Sequence, residues 1–483
     1  LRAPAAIAYT LEPHPPSGNA EAVTRVGMTV TGHGGRAFTV EMPAWSPGDY
    51  WIQNHGRYVR SLQAAGGAVQ AAGEDVIGAW RIEPQSEEPV VIRYELPDTP
   101  PGHFSENVDV RSRHAFYNGP ATFAYVAGRK AEPVSLKVTV PEGWDGPLTP
   151  MEQTRDGGFR APDYDTLADS PILVGDRVMR TFSLDARRHD VAFFGTHRGT
   201  DYDDYAAQLR RIAEAARAYM GSLPYEHYVL FLDMNGRGGG LEHANSARIA
   251  LPSGVPAPFA AGFIAHEFFH LWNVKRIRPE VLGPFDYRKP ALTRNLWFCE
   301  GATEYVAGIL TLRAGIRDEE GYFESLGSGI AAWTRSSANR TVTADAASLH
   351  IWDEGRSNGY DGVSVYSSGE MIGLCLDLRL LELTDARSGL REVMRDLMER
   401  YAPPKPGYGE DGIREAVIRA GGPSIGPFYD RLCRSTAELP IAECLGYAGV
   451  RLSRAALRTP VLVADPQATE RQRRLRSIWL YGR

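Results

Sequence analysis

Phe259-Ala-Ala-Gly-Phe-Ile-Ala-His266-Glu267-Phe-Phe-His270-Leu-Trp-Asn273 reads as a helix that is apolar almost all round, broken only by two histidines and one glutamate. Such a helix is buried. Burying two imidazoles and a carboxylate without partners would be costly, so the alternative of two half-buried histidines beside a surface charge fits these flanks poorly. Residues four apart share a helical face, so His266 and His270 can reach one ion at Zn–N distances of about 2.0–2.1 Å. Glu267 lies one position round, placed to take a proton from an attacking water and pass it to a leaving amine. The motif therefore predicts zinc-assisted peptide hydrolysis. A catalytic zinc takes a third protein ligand and keeps one position open. An extended motif with Gly at 273 and His at 276 is ruled out, because Asn273 and Arg276 stand there. The expected third ligand is Glu300, in Leu296-Trp-Phe-Cys-Glu-Gly-Ala-Thr-Glu-Tyr305. Glu304, one turn on, either orients a ligand histidine or is an ordinary solvated helix charge.

Outward from this stretch, the chain changes character twice. Short apolar or alternating runs fill the first part: Arg25–Val30, Ala37–Met42, Val90–Tyr94 and Val134–Val140, separated by Gly, Pro and Asp turns. They predict a sandwich or saddle-shaped sheet domain. Tyr205, Leu209, Ile212, Ala216 and Tyr219 then repeat at helical spacing over Asp204–Met220, and Tyr228–Met234 reads as a buried strand. Helix-compatible patterns follow over Phe259–Asn273, Asn295–Ala314, Ser367–Leu383, Leu390–Tyr401 and Gly412–Ala420. The late run Glu470-Arg-Gln-Arg-Arg-Leu-Arg476 is expected to be solvated surface.

The 483 residues are enough for two to four domains, and 43% hydrophobic with 23% charged residues is the balance of a globular protein with a large core. A net charge of −6 gives no electrostatic case for nucleic acid or anionic membrane. The apolar stretch Phe259–Val274 is interrupted by His266, Glu267 and His270, which argues against a membrane span. The start Leu1-Arg2-Ala3-Pro4, with neither initiator Met nor visible signal sequence, suggests a processed start and favours export slightly. Cys299, Cys375, Cys433 and Cys444 form no Cys-x-x-Cys pair, which disfavours a cysteine-built metal site. Cys433 and Cys444 are expected either to be bridged in an oxidising compartment or to stay reduced and buried. Gly236-Arg-Gly-Gly-Gly240 is no phosphate loop, lacking Gly-Lys-Ser/Thr, and on sequence alone can be a flexible loop.

The zinc segment runs His266–Pro279, Leu282–Tyr287 and Leu296–Gly301. With it stand Trp45-Ser-Pro-Gly-Asp-Tyr50, Arg111–Gly119, Asp169-Ser-Pro-Ile172 and Gly238–His243. Together these resemble the glycyl aminopeptidase family, gluzincin metallopeptidases related in catalytic-domain fold to aminopeptidase N, over about residues 7 to 452. The resemblance implies an α+β multidomain fold: an N-terminal β-sandwich or saddle domain (1–182), a thermolysin-like α/β catalytic domain (183–315), a C-terminal helical portion completing the site (316–452) and a tail (453–483). It implies one zinc per chain and peptide substrates, with small amino-terminal residues such as Gly or Ala preferred. It further implies that Gly239-Gly240-Leu-Glu242-His243 flanks the substrate backbone, Glu242 binding the α-amino group. Tyr366 would stabilise the oxyanion, although Ser368 stands where the family has lysine; Tyr360 is the alternative. The family's carboxy-terminal PDZ domain has no room in the about thirty residues after Leu452. An endopeptidase using Glu242 differently, or a catalytically weak peptide-binding metalloprotein, are the competing readings.

Overall fold

The computed structural model describes residues 6–73, 77–100, 102–104, 107–236, 238–354, 359–454 and 460–482. Alternation sets the first domain. In the strand Val23–Val30, Thr24, Val26, Met28 and Val30 point inward while their neighbours face out. This strand sits between Ile7–His14 and Val90–Pro97 in a seven-stranded sheet. A four-stranded sheet built on Phe38–Glu41 and Ala79–Pro84 packs across it, and Tyr9, Met28, Val40 and Ile82 share one core. This is the expected sandwich.

The second unit is built on a five-stranded sheet in the order Val178–Leu184, Arg187–Phe194, His227–Asp233, Ser246–Ala250, Gly240–His243. Its first strand spans the boundary expected at 182, so the sandwich ends before Val178. The cause is a hairpin turning at Asp185 and Ala186, both at positive φ, which keeps 178–184 with the strand that follows. The helix Tyr202–Met220 covers this sheet. Asp201 caps it by accepting from the Asp204 N–H at 3.0 Å, and Gly221 ends it at φ 100°. Against the opposite face lies a three-stranded sheet of residues 108–175, whose Phe116 and Leu173 pack on Phe194 and Phe231.

Helices Glu319–Arg335, Val365–Leu383, Leu390–Tyr401 and Gly412–Gly421 form the C-terminal portion. The tail expected after 452 is instead a hairpin (Val450–Arg454 with Pro460–Ala464) and a helix, Glu470–Tyr481. Arg471, Arg473 and Arg474 are exposed and Arg476 is half-buried. Leu475, Trp479 and Leu480 are buried, and the Trp479 indole N–H donates to the Tyr305 hydroxyl at 2.8 Å. Arg313 donates to the carbonyls of Trp479 and Leu480, closing the helix end. The charged run itself is largely solvated, as expected, and the apolar residues that anchor the helix lie at and beyond Leu475. All four cysteines are free and buried, so Cys433 and Cys444 are not bridged. Among the described residues no helix is long and apolar enough to cross a membrane.

Candidate active site

The helix Ala257–Phe269 is started by Pro256 and Pro258 and lies buried with mean exposure near zero along Ile264–Phe269 apart from the site residues. His266 and His270 project from one face, their Nε2 atoms 2.9 Å apart. Each ring is fixed from behind. His270 Nδ1 is 2.6 Å from the Asn273 carbonyl, which can only accept, so Nδ1 carries the proton. His266 Nδ1 is 2.8 Å from a Glu304 carboxylate oxygen. Both Nε2 lone pairs are thereby turned toward each other and toward Glu300 Oε2, at 3.7 Å from His266 and 3.4 Å from His270. Three such atoms facing inward form a ready place for a cation. Ligand atoms around a tetrahedral ion at about 2.0–2.1 Å stand about 3.3 Å apart, close to these separations. Two imidazoles and a carboxylate are a donor set that suits zinc. The residues fit a metal.

Glu300 arrives by a route the sequence pattern did not predict. Residues 297–302 form a π-helical turn before the helix Thr303–Arg313, not one continuous helix from 295. Asn273, standing where the extended motif would have glycine, clamps this turn. Its amide donates to the Phe298 carbonyl at 2.8 Å while its own carbonyl holds His270. A second support comes from the sandwich domain, where the Tyr50 hydroxyl donates to Glu300 Oε1 at 2.6 Å and leaves Oε2 to the imidazoles. Burial pushes Glu300 up, but His270 and His266 outweigh it and hold the carboxyl well below the usual carboxylate range.

Glu267 is 5% exposed, against Gly240 on the edge strand, where any side chain would overlap its carboxylate. Burial pushes it up to about 7, with Glu242 and Glu300 adding and the two imidazoles opposing. Glu242 lies with Glu267 and His270 in a second convergent group, ligand atoms within 4.8 Å of one another. A small cavity of about 140 Å³ joins these groups, and Gly48, Phe104, Phe263 and Tyr366 close it. Tyr366 leans on His266, ring centroids 5.9 Å apart. Burial, then Glu300, Glu267 and Glu242, keep its phenol protonated, a donor. Tyr360 packs on His350 and is not among the cavity's lining residues.

Lys275, one turn beyond the imidazoles, bridges Asp169 (3.1 Å) and Glu242 (3.4 Å), and is 7% exposed. Asp169 also receives the Ala244 N–H at 2.7 Å and faces His243 Nδ1 at 3.2 Å. This corrects the expectation for His243. Along the edge strand Gly240 and Glu242 face the cavity, and the two-residue period turns His243 away, onto Asp169. Gly239, at φ 111°, is not among the cavity's lining residues, and a side chain there would meet the backbone of His103 and Phe104. Lys275→Met should cost about 3–5 kcal/mol of stability, since the buried Glu242 and the half-buried Asp169 lose their cation. Equilibrium urea unfolding measures it, and a change below 1 kcal/mol would refute the bridge. Burial raises Asp169, but Lys275 and His243 outweigh it and bring it to about 2. Because its folded value lies below the 3.8 of a free aspartate, its stabilisation is present above about pH 4 and is lost as pH falls through 2.

The sequence reading missed Tyr50, Gly48, Phe104, Asp169 and Lys275. The segments Trp45–Tyr50, Asp169–Ile172 and His266–Pro279 were noted for their resemblance, and that was the available signal; nothing in local spacing says they converge.

Residues 260–372 match the sequence profile of M61 glycyl aminopeptidases, and residues 16–176 match that of the Peptidase M61 N-terminal domain. No curated protein sequence matches the chain. Among solved structures, an aminopeptidase N family protein from Idiomarina loihiensis superposes with TM-score 0.84 at 25% identity, over 92% of this chain and 78% of that one. An M1 zinc metallopeptidase from Deinococcus radiodurans superposes with TM-score 0.56 at 14% identity, over 90% and 95%. The second likeness is one of fold. The two profiles fall on the sandwich and on the segment carrying His266, Glu267, His270, Glu300 and Tyr366, so this chain belongs to the M61 glycyl aminopeptidase family and is a peptidase.

Proposed function

We propose that this protein is a zinc-dependent aminopeptidase that releases small amino-terminal residues, Gly or Ala, from peptides. The observation that carries the reading is the buried Glu242 carboxylate beside Glu267 and His270, within 4.8 Å. An α-amine is largely cationic near neutral pH, having a pKa of about 7.7–8.0. Held on Glu242, it sets the first peptide bond next to the base, and a substrate cannot slide further in. Gly48 packs so closely on the Glu242 carboxylate that a side chain there would overlap it, so the amine end of the about 140 Å³ cavity is walled in, which supports a small first residue.

His266, His270 and Glu300 would hold the zinc, which when bound supplies Lewis acidity to polarise the carbonyl and to make water attack near neutral pH. Glu267 takes the proton of the attacking water and delivers it to the leaving nitrogen. Tyr366 donates its phenol proton in a hydrogen bond to the carbonyl oxygen as that oxygen gains charge. Tyr50 and Glu304 keep ligands oriented.

Digestion of a peptide library with mass readout tests this. Chelator should abolish cleavage and added zinc restore it. Loss of single residues from the amino end, with Ala and Gly ahead of Leu about tenfold or more, is the expected pattern. Internal cleavage, or equal cleavage of amino-acetylated peptides, would overturn it.

A further inference from the structure

We propose that Phe263 and Phe259 form a subsite for the leaving part of the peptide, so that this enzyme selects substrates with apolar side chains at about their second to fourth residues. The inference rests on the reading that the α-amine sits on Glu242. The direction of the bound chain then follows from the edge strand. Glu242 lies toward His270 and Lys275, at the carboxy end of the helix Ala257–Phe269. Gly240 lies toward its middle, where a side chain would meet Glu267 and, at 2.9 Å, the ring of Phe263. A peptide entering amine-first on Glu242 and cut beside Glu267 must leave past Phe263.

Phe259, Phe263 and Glu267 are four residues apart and stand on one helical face, each turn about 6 Å further from the base. Phe263 is half-buried and lines the cavity together with Phe104. Phe259 is 82% exposed, the most exposed large apolar side chain among the described residues. Its nearest helical neighbours Ala260 and Ala257 are buried, so the helix had an apolar face to bury and left this ring outside it. An extended peptide advances about 3.3 Å per residue. Phe263 therefore meets the second or third residue and Phe259 about the fourth. The apolar face is continuous with the cavity that holds the reacting bond, and this singles out the substrate as its occupant.

The test compares kcat/KM for two zinc-loaded-enzyme substrates, Ala-Leu-Leu-Leu-Gly-Lys and Ala-Ser-Ser-Ser-Gly-Lys. The wild type should favour the first on the order of tenfold, by partial covering of the two rings. Phe259→Ser should shrink that ratio several-fold, and Phe259→Tyr should largely keep it. Val461→Ser, a change at another exposed apolar residue on the C-terminal hairpin, should leave the ratio alone (Val461 is 43% exposed). Equal rates on the two peptides, a preference for the serine peptide, or a ratio unmoved by Phe259→Ser each overturn the subsite while Ala release continues. If neither peptide loses its alanine, the aminopeptidase reading itself falls.

Discussion

Glu267→Gln is expected to retain the metal and lose about 100–10,000-fold in kcat, the range removed with a positioned general base. The amide has nearly the shape of the carboxylate, so the packing against Gly240 survives and the protein melts close to the wild-type temperature. His266, His270 and Glu300 are untouched, and so are the groups behind them, Glu304, Asn273 and Tyr50. Only basicity disappears. Elemental analysis after gel filtration should find the same zinc content in both proteins. A variant that still turns over near the wild-type rate would mean that Glu267 is a wall of the cavity rather than a base. A variant that has lost its zinc would mean that Glu267 belongs to the ligand set.

Glu242→Gln should lower kcat/KM on free peptides about 10–150-fold, the worth of about 1.5–3 kcal/mol for a hydrogen bond to a charged partner. Lys275 keeps Asp169 as its counterion, so the substitution strands no unpaired lysine. The diagnostic comparison uses an amino-acetylated peptide alongside the free one. Wild type should discriminate strongly between them, and the variant should discriminate far less, because the group that reads the positive charge is gone. Equal losses on both peptides would show that Glu242 serves the fold and not the amine.

What could be read in the sequence was what lies close along the chain. The spacing of His266 and His270, the neighbouring Glu267, and Glu300 entering the next helical stretch need only one helix repeat and one loop to be brought together. The structure places them so. Glu304 was undecided between a ligand's partner and a surface charge, because a helix position says which face a residue is on and not what faces it. Only the tertiary fold puts His266 there. Tyr50, Gly48 and Phe104 were out of reach for the same reason at greater range: their partners are some 130 to 250 positions away. The π-helical turn at 297–302 was hidden because its residues, Trp297-Phe-Cys-Glu-Gly-Ala302, suit an α-helix as well. His243 was assigned by neighbourhood, whereas strand alternation sends it to Asp169.

The hydrogen bond from Tyr50 to Glu300 has a consequence for how this molecule becomes active. The sandwich is no passive attachment, since it contributes the hydroxyl behind one ligand and, through Gly48, the wall over the amine site. Ala44 and Trp45 secure the junction by donating to the Tyr287 and Asp286 carbonyls at 2.8 and 3.0 Å. A fragment beginning at Val178 would carry every ligand and the base yet present an uncovered, loosely held centre. Parting the two halves would take the Tyr50 hydroxyl from Glu300 and the Gly48 wall from Glu242 while leaving every ligand and the base on one piece.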